Sequence, residues 1–257
     1  MKSSKTISII ISDIEGCISP NKGEPLALDA LAQIQGHNRL AESGKAPPLT
    51  LCSGRSQPFV EAFAQMLAVT QPCICENGAV LYDPPTDRLL RHPGITDETI
   101  RNLKELYSLL ENEIQVKSPH RVEPGKEICI SLNPVADPKD YHKYLKELFE
   151  YVSQYVDTRL FSIVHSASAV DITPKGIDKA AGVRFLSEIT DIPLQQMLGI
   201  GDSPGDLPLL RLVGYSAAPA NASRIVCGEV TYVSTYAHAY GLVDIISKAT
   251  TLSKLGK

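Results

Sequence analysis

Thr6-Ile7-Ser8-Ile9-Ile10-Ile11-Ser12-Asp13-Ile14-Glu15-Gly16 is the stretch on which the fold turns. The run from Thr6 to Ser12 is short, rich in β-branched side chains and ended by Asp13 and Gly16, a pattern that fits a strand buried on both faces of a parallel sheet. Asp13 and Glu15 are two residues apart, so both carboxylates project to one side of an extended segment. One carboxylate of such a pair can attack phosphorus as a nucleophile while the other protonates the leaving oxygen. Gly16 lets the chain turn sharply just beyond them. Taken alone, the same four residues describe an ordinary solvated acidic turn.

Working outward, strand and helix alternate. Leu26 to Leu40 carries apolar residues at helical spacing after Pro25, and Leu49 to Cys52 is a second short strand. Ser56 can cap a helix running to about Val69, and Cys73 to Cys75 is a third strand ending in Glu76-Asn77-Gly78. This rhythm predicts a right-handed parallel α/β unit. The middle breaks it. Ala79 to Tyr82 and Arg88 to Arg91 read as a hairpin, followed by a helix over Asp97 to Glu113 and a strand over Glu127 to Leu132. A helix over Pro138 to Tyr155 and strands at Phe161 to His165 and Ala169 to Ile172 complete an inserted α+β module. The expected division is a core of residues 1–82 and 174–257 and a module of residues 83–173, edged by Asp83-Pro84-Pro85 and Thr173-Pro174. After Gly176 the rhythm resumes with a helix over Lys179 to Ile189, a strand over Met197 to Ile200 and a short helix over Pro204 to Leu212.

Three further clusters fall where parallel strands should end, the place where open α/β sheets bind ligands. Ser53-Gly54-Arg55 follows the second strand; its hydroxyl and backbone N–H groups can meet phosphoryl oxygens. Lys179 opens a helix directly after Asp178, where a cation opposes the macrodipole by roughly 0.3–1 kcal/mol unless an anion lies beside it. Lys175 competes for that role from the module junction. Gly201-Asp202-Ser203-Pro204-Gly205-Asp206 places hard oxygen donors at a strand end, which suits Mg²⁺. Ser203 and Asp206 also have the spacing of a capping box, with Pro204 at the first helical position. Each cluster alone has a bland reading as turn, cap or solvated charge.

In this order the four resemble the haloacid dehalogenase (HAD) superfamily, which has an Asp nucleophile with a second carboxylate two residues on, then Ser or Thr, Lys, and a Gly-Asp-x-x-x-Asp motif. Asn77-Gly78, the inserted module and Gly176-Ile177-Asp178-Lys179 are similar to the Cof-type branch with a type 2 cap, as in sucrose-phosphate, mannosyl-3-phosphoglycerate and archaeal-type phosphoglycolate phosphatases. The resemblance spans nearly the whole chain. It implies an α/β fold with a HAD-like Rossmannoid core, a parallel sheet and an inserted α+β cap domain. It further implies that Asp13 forms an aspartyl-phosphate and that Glu15 acts as general acid and then base. Ser53, Gly54 and Lys179 would hold the phosphoryl group, and Mg²⁺ would sit among Asp13, the Glu15 carbonyl and Asp202, supported by Asp206. Two positions depart from the pattern. Glu15 stands where Asp is usual, reaching about 1.5 Å further, although enolase-phosphatases are similar in carrying Glu there. Gly205 stands where relatives carry Asn, and the loss of that amide is expected to loosen the hold on Lys179 or its loop.

Substrate choice is expected from the cap, with Arg55, Asn77, His120, Arg121, Lys126, His165, Ser166 and Ser168 as candidate contacts; Arg121 or Lys126 can meet a substrate carboxylate or second anionic group. The implied activity is Mg²⁺-dependent hydrolysis of a small phosphorylated sugar or hydroxy acid. A phosphomutase and a non-catalytic phospho-accepting module are the alternatives. With 25 basic and 29 acidic residues, no basic block, no Trp and 6% aromatics, a nucleic-acid partner is not expected. The 257 residues, 43% of them hydrophobic, suffice for a real core. Cys17, Cys52, Cys73, Cys75, Cys129 and Cys227 contain no Cys-x-x-Cys pair and read as reduced thiols of a cytoplasmic protein. Lys2 and Lys5 precede an apolar run that Asp13 interrupts too early for a signal segment, so no membrane partner is expected, and the chain is expected as a monomer or homodimer.

Overall fold

The computed structural model describes residues 6–20, 24–114, 120–135, 139–165 and 169–249. Its first half runs β1 (Ile9–Ser12), α1 (Leu28–Glu42), β2 (Leu49–Leu51), α2 (Gln57–Met66) and β3 (Cys73–Cys75). A single 3₁₀ turn (Glu76–Gly78) leads into the hairpin β4 (Val80–Asp83) and β5 (Arg88–Arg91). The inserted part contains α3 (Asp97–Ile114), β6 (His120–Val122), β7 (Ile130–Pro134), α4 (Tyr141–Val152), β8 (Phe161–His165) and β9 (Val170–Pro174). The chain closes with α5 (Lys179–Thr190), β10 (Met197–Ile200), α6 (Leu207–Leu212), β11 (Tyr215–Ala218), α7 (Arg224–Cys227), β12 (Tyr232–Val233) and α8 (His238–Ser247).

Five strands form a parallel sheet in the order β12-β11-β10-β1-β2. The unbroken apolar run of β1 is explained by its two covered faces. Ile10 joins Leu49, Leu51 and Leu198 under α1, α2 and α8, whereas Ile9 and Ile11 join Met197, Val183 and Leu209 under α5 and α6. Each fully buried isoleucine contributes roughly 1.5–3 kcal/mol, so the strand end that carries Asp13 is held rigidly. β3 lies beside β2 through a parallel bridge between Cys52 and Ile74, and the β4–β5 hairpin adds antiparallel strands outside it. At Gly78, φ is +102°, and a Cβ there would lie 2.1 Å from the Asp178 carbonyl oxygen. Only glycine fits both constraints, and the close approach seats the first turn of α5, with Lys179, against the ends of the strands.

The inserted sheet is antiparallel, in the order β6-β7-β9-β8. Leu103, Leu106 and Leu110 of α3 and Leu145, Leu148 and Val152 of α4 pack on one face, against Ile130, Leu132, Val170 and Ile172. Ser131, Asn133, Asp171 and Thr173 alternate with those residues and occupy the opposite face. The architecture is therefore a Rossmann-like α/β core carrying an α+β cap. Three details differ from the expectation. The hairpin strand Arg88–Arg91, expected within the inserted module, pairs through β4 with β3 beside the core and not with the inserted sheet. β6 was not anticipated, and the strand expected from Glu127 begins at Ile130 because the N–H groups of Glu127, Ile128 and Cys129 all donate to the Glu76 carboxylate, at 3.0, 2.9 and 2.9 Å, instead of to a neighbouring strand. Among the described residues, no helix is long and apolar enough to cross a membrane.

Candidate active site

Four loops at the ends of β1, β2 and β10 and at the start of α5 converge. Asp13 leaves β1 with its N–H bonded to the Ile200 carbonyl of β10, at 2.9 Å, and its Oδ1 accepts from the Ile14 N–H at 2.7 Å. The buried Lys179 Nζ lies 2.9 Å from Asp13 Oδ2 and 2.6 Å from Asp206 Oδ1. Asp178 caps α5 through the Ala181 N–H, at 2.8 Å, leaving Lys179 free to point inward, while Lys175 is exposed. Asp206 Oδ2 accepts from the Asp202 N–H, the Ser203 N–H and the Ser203 hydroxyl at 3.0–3.1 Å, which is the capping box read from the spacing. With both oxygens engaged, Asp206 holds Lys179 and the Asp202 loop in place. A Cβ at Gly205 would meet only the Ser203 hydroxyl, at 3.5 Å, and Lys179 keeps both ion pairs without an amide at that position.

The electrostatics follow from this count of charges. Carboxylate oxygens of Asp13, Asp202 and Asp206 all lie within 4.8 Å of one another, with one ammonium among them. Burial opposes the charge of Lys179, but Asp13 and Asp206 beside it hold the ammonium above its ordinary range. Asp206 is likewise buried, yet Lys179 and the Ser203 bonds keep it below the usual carboxylate value. Burial and then Asp206 push Asp13 well up, and burial and Asp206 lift Asp202 to about 7. Oxygen donors carrying unbalanced negative charge at a rigid strand end are the set that Mg²⁺ takes, so the residues fit that ion. Gly16, at φ +77°, is the second position where glycine is required: a Cβ would sit 2.1 Å from Asp202 Oδ2. The Gly16 carbonyl in turn accepts from Asn221 Nδ2 at 2.9 Å and lies 3.1 Å from His238 Nδ1.

Glu15 and Ser53 face each other. The Ser53 hydroxyl donates to Glu15 Oε2 at 3.1 Å and accepts from the Arg55 N–H at 3.1 Å. Arg55 donates through Nε to Glu15 Oε1 and through Nη1 to Glu123 Oε1 at 3.0 Å, with its guanidinium carbon 4.8 Å from the centre of the Phe59 ring. Burial works against the Arg55 charge, yet Glu15 and Glu123 hold it firmly ionised.

The candidate substrate contacts scatter. Asn77 packs its amide against Gly54, an ideal Cβ at Gly54 being 2.8 Å from Asn77 Oδ1. Lys126 bonds the Ser131 hydroxyl and lies 3.8 Å from Asp171, on the polar face of the cap sheet. Arg121 is exposed, with its charge acting on the Tyr141 hydroxyl at the start of α4. His165 is a correction: its ring packs edge-on against Phe149 at 5.2 Å, on the helix-covered face, because it stands opposite Val170 in the register of β8 and β9. His120 is buried in β6. Ser166 and Ser168 lie outside the described residues. Sequence reasoning missed Glu76, Glu123, Asn221 and His238. The contacts that tie them to the site or its cap loop span 51 or more residues, and no local spacing marks them.

Comparison with known proteins gives a consistent picture. The family model of haloacid dehalogenase-like hydrolases matches residues 10–123 and 130–246. A phosphoglycolate phosphatase of Methanothrix thermoacetophila is 28% identical over 199 residues, 77% of this chain and 81% of that protein. A crystal structure from Thermoplasma acidophilum superposes with a TM-score of 0.69 at 23% identity, covering 95% of this chain and 98% of that one. The sucrose-phosphatase from Synechocystis, solved with sucrose and phosphate, gives 0.62 at 17% identity, with 95% and 98% covered.

Proposed function

The chain belongs to the haloacid dehalogenase-like hydrolases, and from that premise we propose that it hydrolyses phosphate monoesters of small metabolites with Asp13 as nucleophile. The observation that carries this reading is the Lys179 ammonium clamped between Asp13 and Asp206, beside a second carboxylate, Glu15, already hydrogen-bonded to Ser53. The Asp13 carboxylate attacks phosphorus as the ester P–O bond breaks, and Glu15 gives its proton to the departing oxygen. Water then attacks the aspartyl-phosphate, Glu15 takes its proton, and the Asp13 carboxylate is restored with release of phosphate. Ser53, the Gly54 N–H and Lys179 hold the phosphoryl oxygens, placing donors where charge develops. Asp13, Asp202 and the Glu15 carbonyl are the groups that would hold Mg²⁺, with Asp206 supporting them. When bound, the ion neutralises phosphoryl charge.

We assign substrate choice to the inserted module within residues 83–173. The relatives named as phosphoglycolate phosphatases support a small anionic ester. Hydrolysis of an aryl phosphate by the wild type and by Asp13→Asn, each with and without chelator, tests the proposal. Turnover should fall at least roughly a thousandfold in Asp13→Asn and be abolished by chelation. Undiminished turnover in either arm would overturn the reading.

A further inference from the structure

We propose that Glu123, on the cap loop after β6, is a positioning residue for this reaction: through Arg55 it fixes the acid Glu15, so proton delivery to the leaving oxygen depends on the seated cap. The inference rests on the phosphatase reading and adds control of the proton donor to it. Arg55 is held from three separate elements. Its Nε meets Glu15 beyond β1, its Nη1 meets Glu123 of the cap at 3.0 Å, and its guanidinium carbon lies 4.8 Å from the centre of the Phe59 ring of α2. The Arg55 and Glu123 side chains are only 19% and 11% exposed, whereas Glu15 keeps 38%. The proton donor is thus open to a leaving group, while the groups that aim it are not free to wander.

Glu123 is itself anchored. Its N–H donates to the Ser131 carbonyl at 2.8 Å, and four residues on, the three amides gripped by Glu76 fasten the same loop to the core. The ideal Cβ position of Gly125 lies 3.3 Å from the Ser56 hydroxyl, so the loop rests directly on the segment that carries Arg55. A guanidinium is a rigid planar fork whose Nε and Nη1 point in fixed directions, so two carboxylates bonded to it are held in one relative geometry; an ammonium on its flexible stem fixes no such geometry. An Asp at position 15 would stop about 1.5 Å short of that fork, which accounts for Glu at this position. The arrangement shown, with both Glu15 oxygens accepting from Ser53 and Arg55, is that of the ionised carboxylate. It is the state that forms as the proton leaves, and substrate bound at Ser53 frees the Oε2 that carries the proton beforehand. A well-placed general acid contributes about 10²–10⁴-fold, and small misplacements forfeit much of it.

The test exploits the leaving group. A nitrophenolate departs without protonation, whereas an alkoxide such as that of glycerol phosphate needs the proton. The values of kcat/KM for both esters are measured in wild type, Glu123→Gln and Arg55→Lys. In each variant the loss on glycerol phosphate should exceed the loss on nitrophenyl phosphate by roughly tenfold or more. Arg55→Lys keeps the charge and removes the fork, so it serves should Glu123→Gln fold poorly. Equal losses on both esters would reduce Glu123 and Arg55 to a structural role and overturn the inference alone. A wild type that cleaves neither ester would overturn the phosphatase reading and the inference with it.

Discussion

Replacing Glu76 with Gln probes how the cap is fastened to the core. The buried carboxylate accepts three N–H groups, from Glu127, Ile128 and Cys129, at 3.0, 2.9 and 2.9 Å. Charge-assisted bonds of this kind contribute about 1.5–3 kcal/mol each, against about 1 kcal/mol for neutral ones. In Glu76→Gln the amide oxygen can keep the two bonds to Ile128 and Cys129, weakened by about 0.5–2 kcal/mol each, while the amide nitrogen faces the Glu127 N–H as donor against donor. The gross loss of about 3–7 kcal/mol is offset in part because a neutral amide is cheaper to bury; burial already pushes the Glu76 carboxyl above its ordinary range. A net loss of about 2–3 kcal/mol follows, which in a chain of this size lowers Tm by about 4–12 °C. Calorimetry reads the stability, and the KM for an aryl phosphate, expected to rise several-fold as the loop loosens, reads the function. A change in Tm below about 1 °C with unaltered KM would refute the reasoning, since the three bonds would then carry nothing.

Lys179→Met leaves Asp13 and Asp206 buried without their shared cation and should destabilise the protein by about 3–5 kcal/mol in urea unfolding, with turnover lost. Gly16→Ala drives a Cβ into the Asp202 carboxylate from a left-handed backbone; calorimetric titration should show weaker Mg²⁺ binding, and unchanged affinity would contradict the placement. Burial works against the charge of Asp244, but Lys248, Tyr232 and Ser234 hold its carboxyl below the ordinary range. A depressed folded-state value means that its stabilisation is complete above the unfolded value of about 4 and is lost as pH falls further. Asp244→Asn should therefore flatten the acid side of the stability curve, as followed by urea unfolding at stepped pH.

Much of the core was legible because its signals are local. The β1 run, the turn at Gly16 and the capping box at Ser203 and Asp206 are each written within a few residues, whereas Gly78 answers to the Asp178 carbonyl far along the chain. The clustering of Asp13, Lys179 and Asp206 could be foreseen only through the family resemblance, since their separation in the chain carries no periodic signal. β6 was hidden by its length: a three-residue strand among the four residues that separate Pro119 from Pro124 presents too little alternation to read. The start of β7 was misplaced for a different reason. Glu127 to Cys129 look like strand, but a carboxylate more than 50 residues earlier takes their amides. The substrate candidates were the least legible. Polar residues beside a strand announce neither their face nor their partners, and His165 was turned away by one step of register while Lys126 was already paired.

The central claim is that the Asp13 carboxylate becomes covalently phosphorylated during turnover. Mixing the enzyme with excess substrate, quenching in acid within milliseconds and mapping the peptides by mass tests it directly. The account predicts one phosphoryl group on the peptide spanning Ile9 to Cys17, absent from Asp13→Asn. Steady hydrolysis with that peptide unmodified, or with the phosphoryl group carried on another residue, would contradict it.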